Sequence, residues 1–273
     1  MIDVSRWTVC LGVAAALVVA TAARDARAED RLKDPDRRIH VPLTLGLGVA
    51  YFLAEAPFKA PLSKDTCRWC GPVGFDDGIR SGLVWDDTGR ADTLSDATGF
   101  FTAPVFALAG VGLVAHLDGR RANWFDDGLI VAESAAVAGI FNYVIKAVVA
   151  RERPFVYQLP PDQKASTDHP QDNNQSFYSG HSTLTMSLAV SAGTVASLRG
   201  YRHARAIYGG GVALSLTTGY LRVAADKHWS SDILIGWLVG AGIGYAIPGF
   251  VHTRRTEITP LVSPTSVGVA MRW

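Results

Sequence analysis

The sequence predicts an all-α, membrane-embedded helical bundle that ends in a short C-terminal hairpin or ordered tail. Three observations carry this expectation. Five long uncharged runs occur, at Ala97–Leu117, Gly128–Ile145 (interrupted by Glu133), Ser182–Leu198, Ala206–Leu221 and Ile233–Val251. Each is dense in Ala, Gly, Ser and Thr, the small residues that let helices approach closely in a membrane. The connections alternate in charge. Arg120 and Arg121, then Arg199, Arg202 and Arg205, then Arg254 and Arg255 all fall on one side of a bundle that spans, and the positive-inside rule makes that side cytoplasmic. The chain has 273 residues, 48% hydrophobic and 19% charged, with a mean hydropathy of +0.16. No run is purely aliphatic, so a soluble helical bundle is the competing reading.

In chain order, residues 1–28 read as a signal peptide or an uncleaved anchor. Arg6 precedes the apolar run Trp7–Ala23, and Ala26-Arg27-Ala28 forms a small-x-small site before Glu29. Residues 29–96 are expected outside the cytoplasm. Their one apolar run, Val41–Ala54, is too short to span comfortably and is assigned to the interface. Cys67 and Cys70 form CRWC, half a zinc site at most, and outside the cytoplasm they are expected to pair as a disulfide. FDDG occurs at Phe75–Gly78 and again at Phe125–Gly128; Asp126 and Asp127 precede an apolar run and are read as a helix start, and the pair is read neither as a repeat nor as a site. Residues 97–251 form the bundle. Residues 252–273 form a tail in which Val267, Val269, Met271 and Trp273 alternate as in a strand.

The charged residues at the junctions of the runs are the chemically informative ones, because charge beside apolar helix is costly unless it is paired or used. Lys146 and Arg153 are about two helical turns apart and point the same way, and Pro154 leaves the guanidinium at a helix end. Ser179, Gly180 and His181 open an apolar run, where free helix N–H groups suit an anion. His228 and Asp232 are four apart and can share a helix face, with Arg222 just before them. Three cations around one volume call for an anion near −2, and arginine forks match phosphate oxygens. The charge balance of +1, without a basic run, gives no reason to expect nucleic acid.

The pattern Lys146-x6-Arg153-Pro154, Ser179-Gly180-His181 and Arg222-x5-His228-x3-Asp232 closely resembles the signature of the phosphatidic acid phosphatase type 2 (PAP2)/vanadium haloperoxidase superfamily. The three parts stand in order across residues 97–251. The resemblance departs at Tyr178, where the family has Pro, and at Leu221, where it has Ser. Tyr178 is expected to loosen the turn before Ser179, and Leu221 to remove a hydroxyl near the phosphate.

The resemblance implies metal-independent hydrolysis of a phosphate ester through a phosphohistidine. His228 is the implied nucleophile, Asp232 its orienting partner and His181 the general acid and base. Lys146, Arg153, Ser179, Gly180 and Arg222 are the implied phosphate-binding residues. No cofactor and no metal site is expected. The implied partners are a lipid phosphate (phosphatidate, phosphatidylglycerol phosphate, undecaprenyl diphosphate or a lipid A type) and membrane lipids, with no oligomeric state indicated. The implied location is a bacterial inner membrane with the site facing the periplasm. A soluble periplasmic phosphatase of small phosphomonoesters and a vanadate-dependent haloperoxidase are the alternatives the family allows.

Overall fold

The computed structural model describes residues 30–55, 58–253, 257–263 and 266–272. The expected signal segment lies outside the described residues. Among the described residues, eight α-helices of two turns or more build the bundle: α1 Arg37–Glu55, α2 Asp76–Leu83, α3 Thr88–Asp96, α4 Ala103–Leu117, α5 Trp124–Val149, α6 Gly180–Leu198, α7 Ala204–Ala224 and α8 Ser230–Ala246. A π-helical turn, Ala97–Thr102, joins α3 to α4, and another, Ile247–Val251, follows α8. The tail is the expected hairpin: β1 Glu257–Ser263 pairs antiparallel with β2 Ser266–Arg272.

Helix α6 is the axis of the bundle, with α5, α7, α8 and α4 packed around it. That position explains its composition. Most of its residues are buried, including Ser182, Thr183, Thr185, Ser187, Ser191 and Thr194. Their hydroxyls are satisfied locally or across helices, as in Thr183 Oγ1 to the Ser179 carbonyl at 2.7 Å and Ser134 Oγ with Ser191 Oγ at 2.9 Å. Small residues let α8 lie on α6 backbone to backbone. A Cβ on Gly236 would stand 2.8 Å from the Ser179 carbonyl oxygen, and one on Gly244 would stand 2.6 Å from that of Ser187. Gly236, Gly240 and Gly244 recur every four residues, so one face of α8 carries the whole contact.

Among the described residues, three stretches are long and apolar enough to cross a membrane, judged by length and composition: Thr88–Leu117, Arg121–Val149 and Ser230–Val251. Their outer faces are apolar. Leu113 is 57% exposed, Leu238 66% and Phe250 73%, and on α1 Leu45 and Phe52 are 64% and 65% exposed. Exposed apolar surface of this extent is characteristic of a face that meets lipid or a partner rather than water.

Helix α1 is longer than the apolar run Val41–Ala54: it runs for 19 residues along α5. Its first turn meets the start of α5, where Arg37 donates to Asp126 at 2.8 and 3.0 Å. Its last residue, Glu55, reaches Lys146 near the far end at 4.0 Å. Polar partners on α5 allow the helix to extend beyond its apolar run. Residues 30–33 therefore sit at the arginine-rich end of the bundle, not at the opposite end. Arg31 N–H donates to the Leu198 carbonyl at 3.0 Å, and Lys33 N–H donates to that of His252 at 2.6 Å.

Candidate active site

The C-terminal ends of α5 and α7 and the N-terminal ends of α6 and α8 meet at one end of the bundle. Helix α5 stops at Ala150, whose φ of 48° puts it in the left-handed region. The next residue, Arg151, lies beside Trp69 as an isolated parallel bridge. Arg68 N–H donates to the Ala150 carbonyl and Glu152 N–H to that of Trp69, each at 3.0 Å. Cys67 and Cys70 form the expected disulfide, so a closed loop clamps the segment leading to Arg153. Arg153 is buried, with Nε donating to the Asp172 carbonyl at 2.8 Å. Pro154 opens a one-turn helix directly after it, where its missing N–H costs nothing.

Asn142 and Lys146 face the start of α6. Asn142 Nδ2 donates to the Tyr178 carbonyl at 2.8 Å. Any Cβ at position 180 would stand 2.9 Å from Asn142 Oδ1 and 3.4 Å from Lys146 Nζ, so glycine is required there. Tyr178 stands in the turn before Ser179. It is 2% exposed, and the Asn142 bond holds its backbone. Ser179 caps α6: its Oγ accepts from Ser182 N–H at 3.4 Å and from Ser182 Oγ at 3.1 Å.

Arg222 is buried at the end of α7 and donates to Asp92 Oδ1 at 2.5 Å and to Ser95 Oγ at 2.9 Å. Ser95 thus supplies a hydroxyl beside Arg222, while Leu221 is packed in the interior. The buried Nε of Arg222 has no hydrogen-bond partner among the described residues. A buried orphan donor on a cation is costly, and an anion would satisfy it.

The two histidines are held differently. His228 Nδ1 lies 2.8 Å from the Ser176 carbonyl oxygen. A carbonyl only accepts, so Nδ1 carries the proton and Nε2 keeps its lone pair. Burial and the surrounding charges of Arg153, Arg222, Lys146 and His181 push the His228 pKa well below the usual imidazole value. The ring is therefore neutral at pH 7. Asp232 is not its hydrogen-bond partner: the Nδ1 to Oδ2 distance is 3.8 Å. The spacing of four does not produce that bond because His228 precedes α8, whose first residue is Ser230, and so does not share its helical repeat.

Asp232 is instead the third residue of α8. It accepts from Trp229 N–H at 3.0 Å, from Ser176 Oγ at 2.5 Å and from Arg151 at 2.5 Å. It acts on His228 through Ser176, whose hydroxyl it holds and whose carbonyl fixes the ring.

His181 makes the imidazole–carboxylate bond, between its Nε2 and Asp96 Oδ1 at 2.8 Å. Its ring also packs on Phe100 at 4.3 Å between centroids.

Arg151 and Asp76 had no assigned role in the sequence reading. Arg151 is 0% exposed and donates to Asp76 at 2.7 Å as well as to Asp232. It also stacks over Trp69 at 3.9 Å. Asp76, from the first FDDG, accepts from Ser231 N–H at 2.8 Å and so locks the start of α8. The second FDDG behaves alike, since Asp127 is buried against Arg199 at 2.8 Å and Tyr201 at 2.7 Å. Both acids lie in the first turn of a helix, as expected for Asp127, and each is held in a buried ion pair. The signal available in the sequence was an arginine with no exposed loop to occupy, directly after an apolar run.

The structure therefore brings Lys146, Arg153, Ser179, Gly180, His181, Arg222 and His228 to one end of the bundle, with Asp232 behind them. Among the described residues, one group of His, Asp and Glu side chains converges closely enough to ligate a metal: His40, Glu133 and His252, elsewhere in the bundle.

The model of the PAP2 superfamily matches residues 127–256. An undecaprenyl-diphosphatase of Sulfolobus acidocaldarius is 29% identical over 118 residues, 43% of this chain and 52% of that protein. The chain thus spans about half the length of this curated relative. Among solved structures, a transmembrane PAP2-type phosphatidylglycerolphosphate phosphatase from Bacillus subtilis aligns over 78% of this chain and 95% of its own, at 19% identity and a TM-score of 0.43.

Proposed function

From the match of residues 127–256 to the PAP2 superfamily model, we propose that this chain is a metal-independent lipid phosphate phosphatase working through a phosphohistidine on His228. One observation carries the reading. Buried Lys146, Arg153 and Arg222, the last with an unpartnered Nε, surround a neutral imidazole whose Nε2 lone pair is free.

In the first step His228 Nε2 attacks phosphorus and the ester P–O bond breaks. Its electron pair leaves on the alkoxide oxygen, which takes a proton from His181. In the second step His181 takes a proton from water as the hydroxide attacks phosphorus, and the P–N bond returns its pair to Nε2. Lys146, Arg153, Arg222, the Ser179 hydroxyl and the Gly180 N–H bind the phosphoryl oxygens as charge redistributes. Asp232 and Arg151 act as positioning residues through Ser176.

The exposed apolar faces of α1, α4 and α8 favour a substrate presented from a bilayer over a small soluble ester. The relatives' substrates, undecaprenyl diphosphate and phosphatidylglycerol phosphate, are the first candidates. With the arginine-rich end cytoplasmic, the site opens on the outer face of the inner membrane. Residues 30–33 then lie on the cytoplasmic side. A mature chain starting at Glu29 and released by salt would instead identify the soluble periplasmic enzyme.

The test is inorganic phosphate release in detergent micelles with EDTA, from phosphatidate, phosphatidylglycerol phosphate and undecaprenyl diphosphate, for wild type and His228→Ala. Release by wild type alone is expected. Equal release by both removes the nucleophile assignment, and no release by either removes the lipid phosphatase reading for these esters.

A further inference from the structure

Glu133 is the single acid inside the run Gly128–Ile145, and the phosphate site does not use it. It lies 13 residues before Lys146 on the same helix, roughly 20 Å along the axis. It is buried at 3% exposure, as is His252 at 2%, while the His40 side chain keeps 18% of its surface accessible. One carboxylate oxygen, Glu133 Oε2, faces both rings: His40 Nδ1 at 2.9 Å and His252 Nε2 at 3.1 Å. The ring centroids are 4.6 Å apart. The three donor atoms come from α1, α5 and the segment after α8, and all lie within 4.8 Å of one another.

We propose that His40, Glu133 and His252 form a binding site for a divalent transition metal of the zinc class. Two imidazoles and one carboxylate are a zinc ligand set, with a fourth position left for water. Zinc bonds of about 2.0–2.2 Å place tetrahedral ligand atoms roughly 3.3 Å apart. The two N···O edges are already near that length, and small side-chain rotations bring the third to it. The proton balance is simple. The carboxylate ligates as an anion, and each neutral ring moves its proton to the nitrogen turned away from Glu133, then ligates through the nitrogen now facing it. A bound ion ties α1 to α5 and to the chain leaving α8, at a distance from His228 that separates it from catalysis.

The experiment uses tag-free full-length protein in detergent, stripped with EDTA and dialysed against Zn2+. One retained equivalent of zinc is expected, with a Tm rise of about 5 °C or more when the metal exceeds its Kd a hundredfold. Glu133→Gln and His252→Ala should each lose that equivalent. Because either variant could fold poorly, the wild type is also loaded with Co2+, and visible ligand-field bands of a tetrahedral nitrogen and oxygen site are expected. Zinc retention no greater than in the variants, or the absence of those bands, overturns the proposal. Phosphate release in EDTA is read separately, so failure of the catalytic reading leaves this test unaffected.

Discussion

Asp96 Oδ1 and His181 Nε2 are 2.8 Å apart, whereas the acid expected to hold a histidine, Asp232, stands 3.8 Å from His228 Nδ1. The carboxylate–imidazole pair thus belongs to the second histidine. In the proposed mechanism, a carboxylate on Nε2 leaves Nδ1 for the substrate and stabilises the imidazolium formed when His181 takes a proton from water.

Replacing Asp96 by Asn should therefore lower kcat by about tenfold or more, within the range that acid–base assistance contributes. KM should change less, although Asp96 also lies 3.6 Å from Arg222. Steady-state kinetics on a short-chain lipid phosphate decide it. An unchanged kcat would show that the pair is only structural.

The neutral state of His228 has a consequence for pH. Its folded pKa lies below the usual value because burial and nearby cations disfavour the imidazolium. As the proposed nucleophile, His228 is thus available at every pH above that lowered value and is lost only when pH falls through it. The acid limb of kcat/KM assigned to His228 is expected below the ordinary imidazole pKa of about 6.5. A nucleophile titrating above 6.5 in single-turnover phosphorylation would contradict the neutral-ring assignment.

Arg151 offers a stability prediction. Its guanidinium bridges Asp76 and Asp232, and all three side chains are fully buried. Arg151→Ala leaves two buried carboxylates without their cation and should cost about 3–5 kcal/mol. Arg151→Lys should recover part of that loss. Chemical unfolding in mixed micelles measures both. A loss under about 1 kcal/mol, the size of a surface pair, would mean that water reaches the site and replaces the arginine.

The packing of α8 on α6 can be tested at Gly244, whose added Cβ would meet the Ser187 carbonyl at 2.6 Å. Backbone cannot rotate away as a side chain can, so Gly244→Ala should destabilise by about 1–3 kcal/mol. Gly242, with nothing within 4 Å of an added Cβ, is the control, and Gly242→Ala should be neutral or slightly stabilising. Equal effects at both positions would remove the close-contact explanation.

Local pattern was enough for the bundle, for the hairpin and for the cations and histidines at the helix junctions. Helix period, small-residue density and charge at the ends of runs are properties of neighbouring residues. Ser179 as the cap of α6 and the Cys67–Cys70 disulfide are equally local. What only the tertiary structure decided joins residues far apart in the chain: Asp96 with His181, Arg151 between Asp76 and Asp232, and His40 and His252 on Glu133. The length of α1 belongs with these, because its polar first turn is stabilised by Asp126 and Glu133 on another helix. The reason is common to all of them. A buried charge is tolerable only where a partner meets it, and no spacing along one segment states which distant residue that partner is.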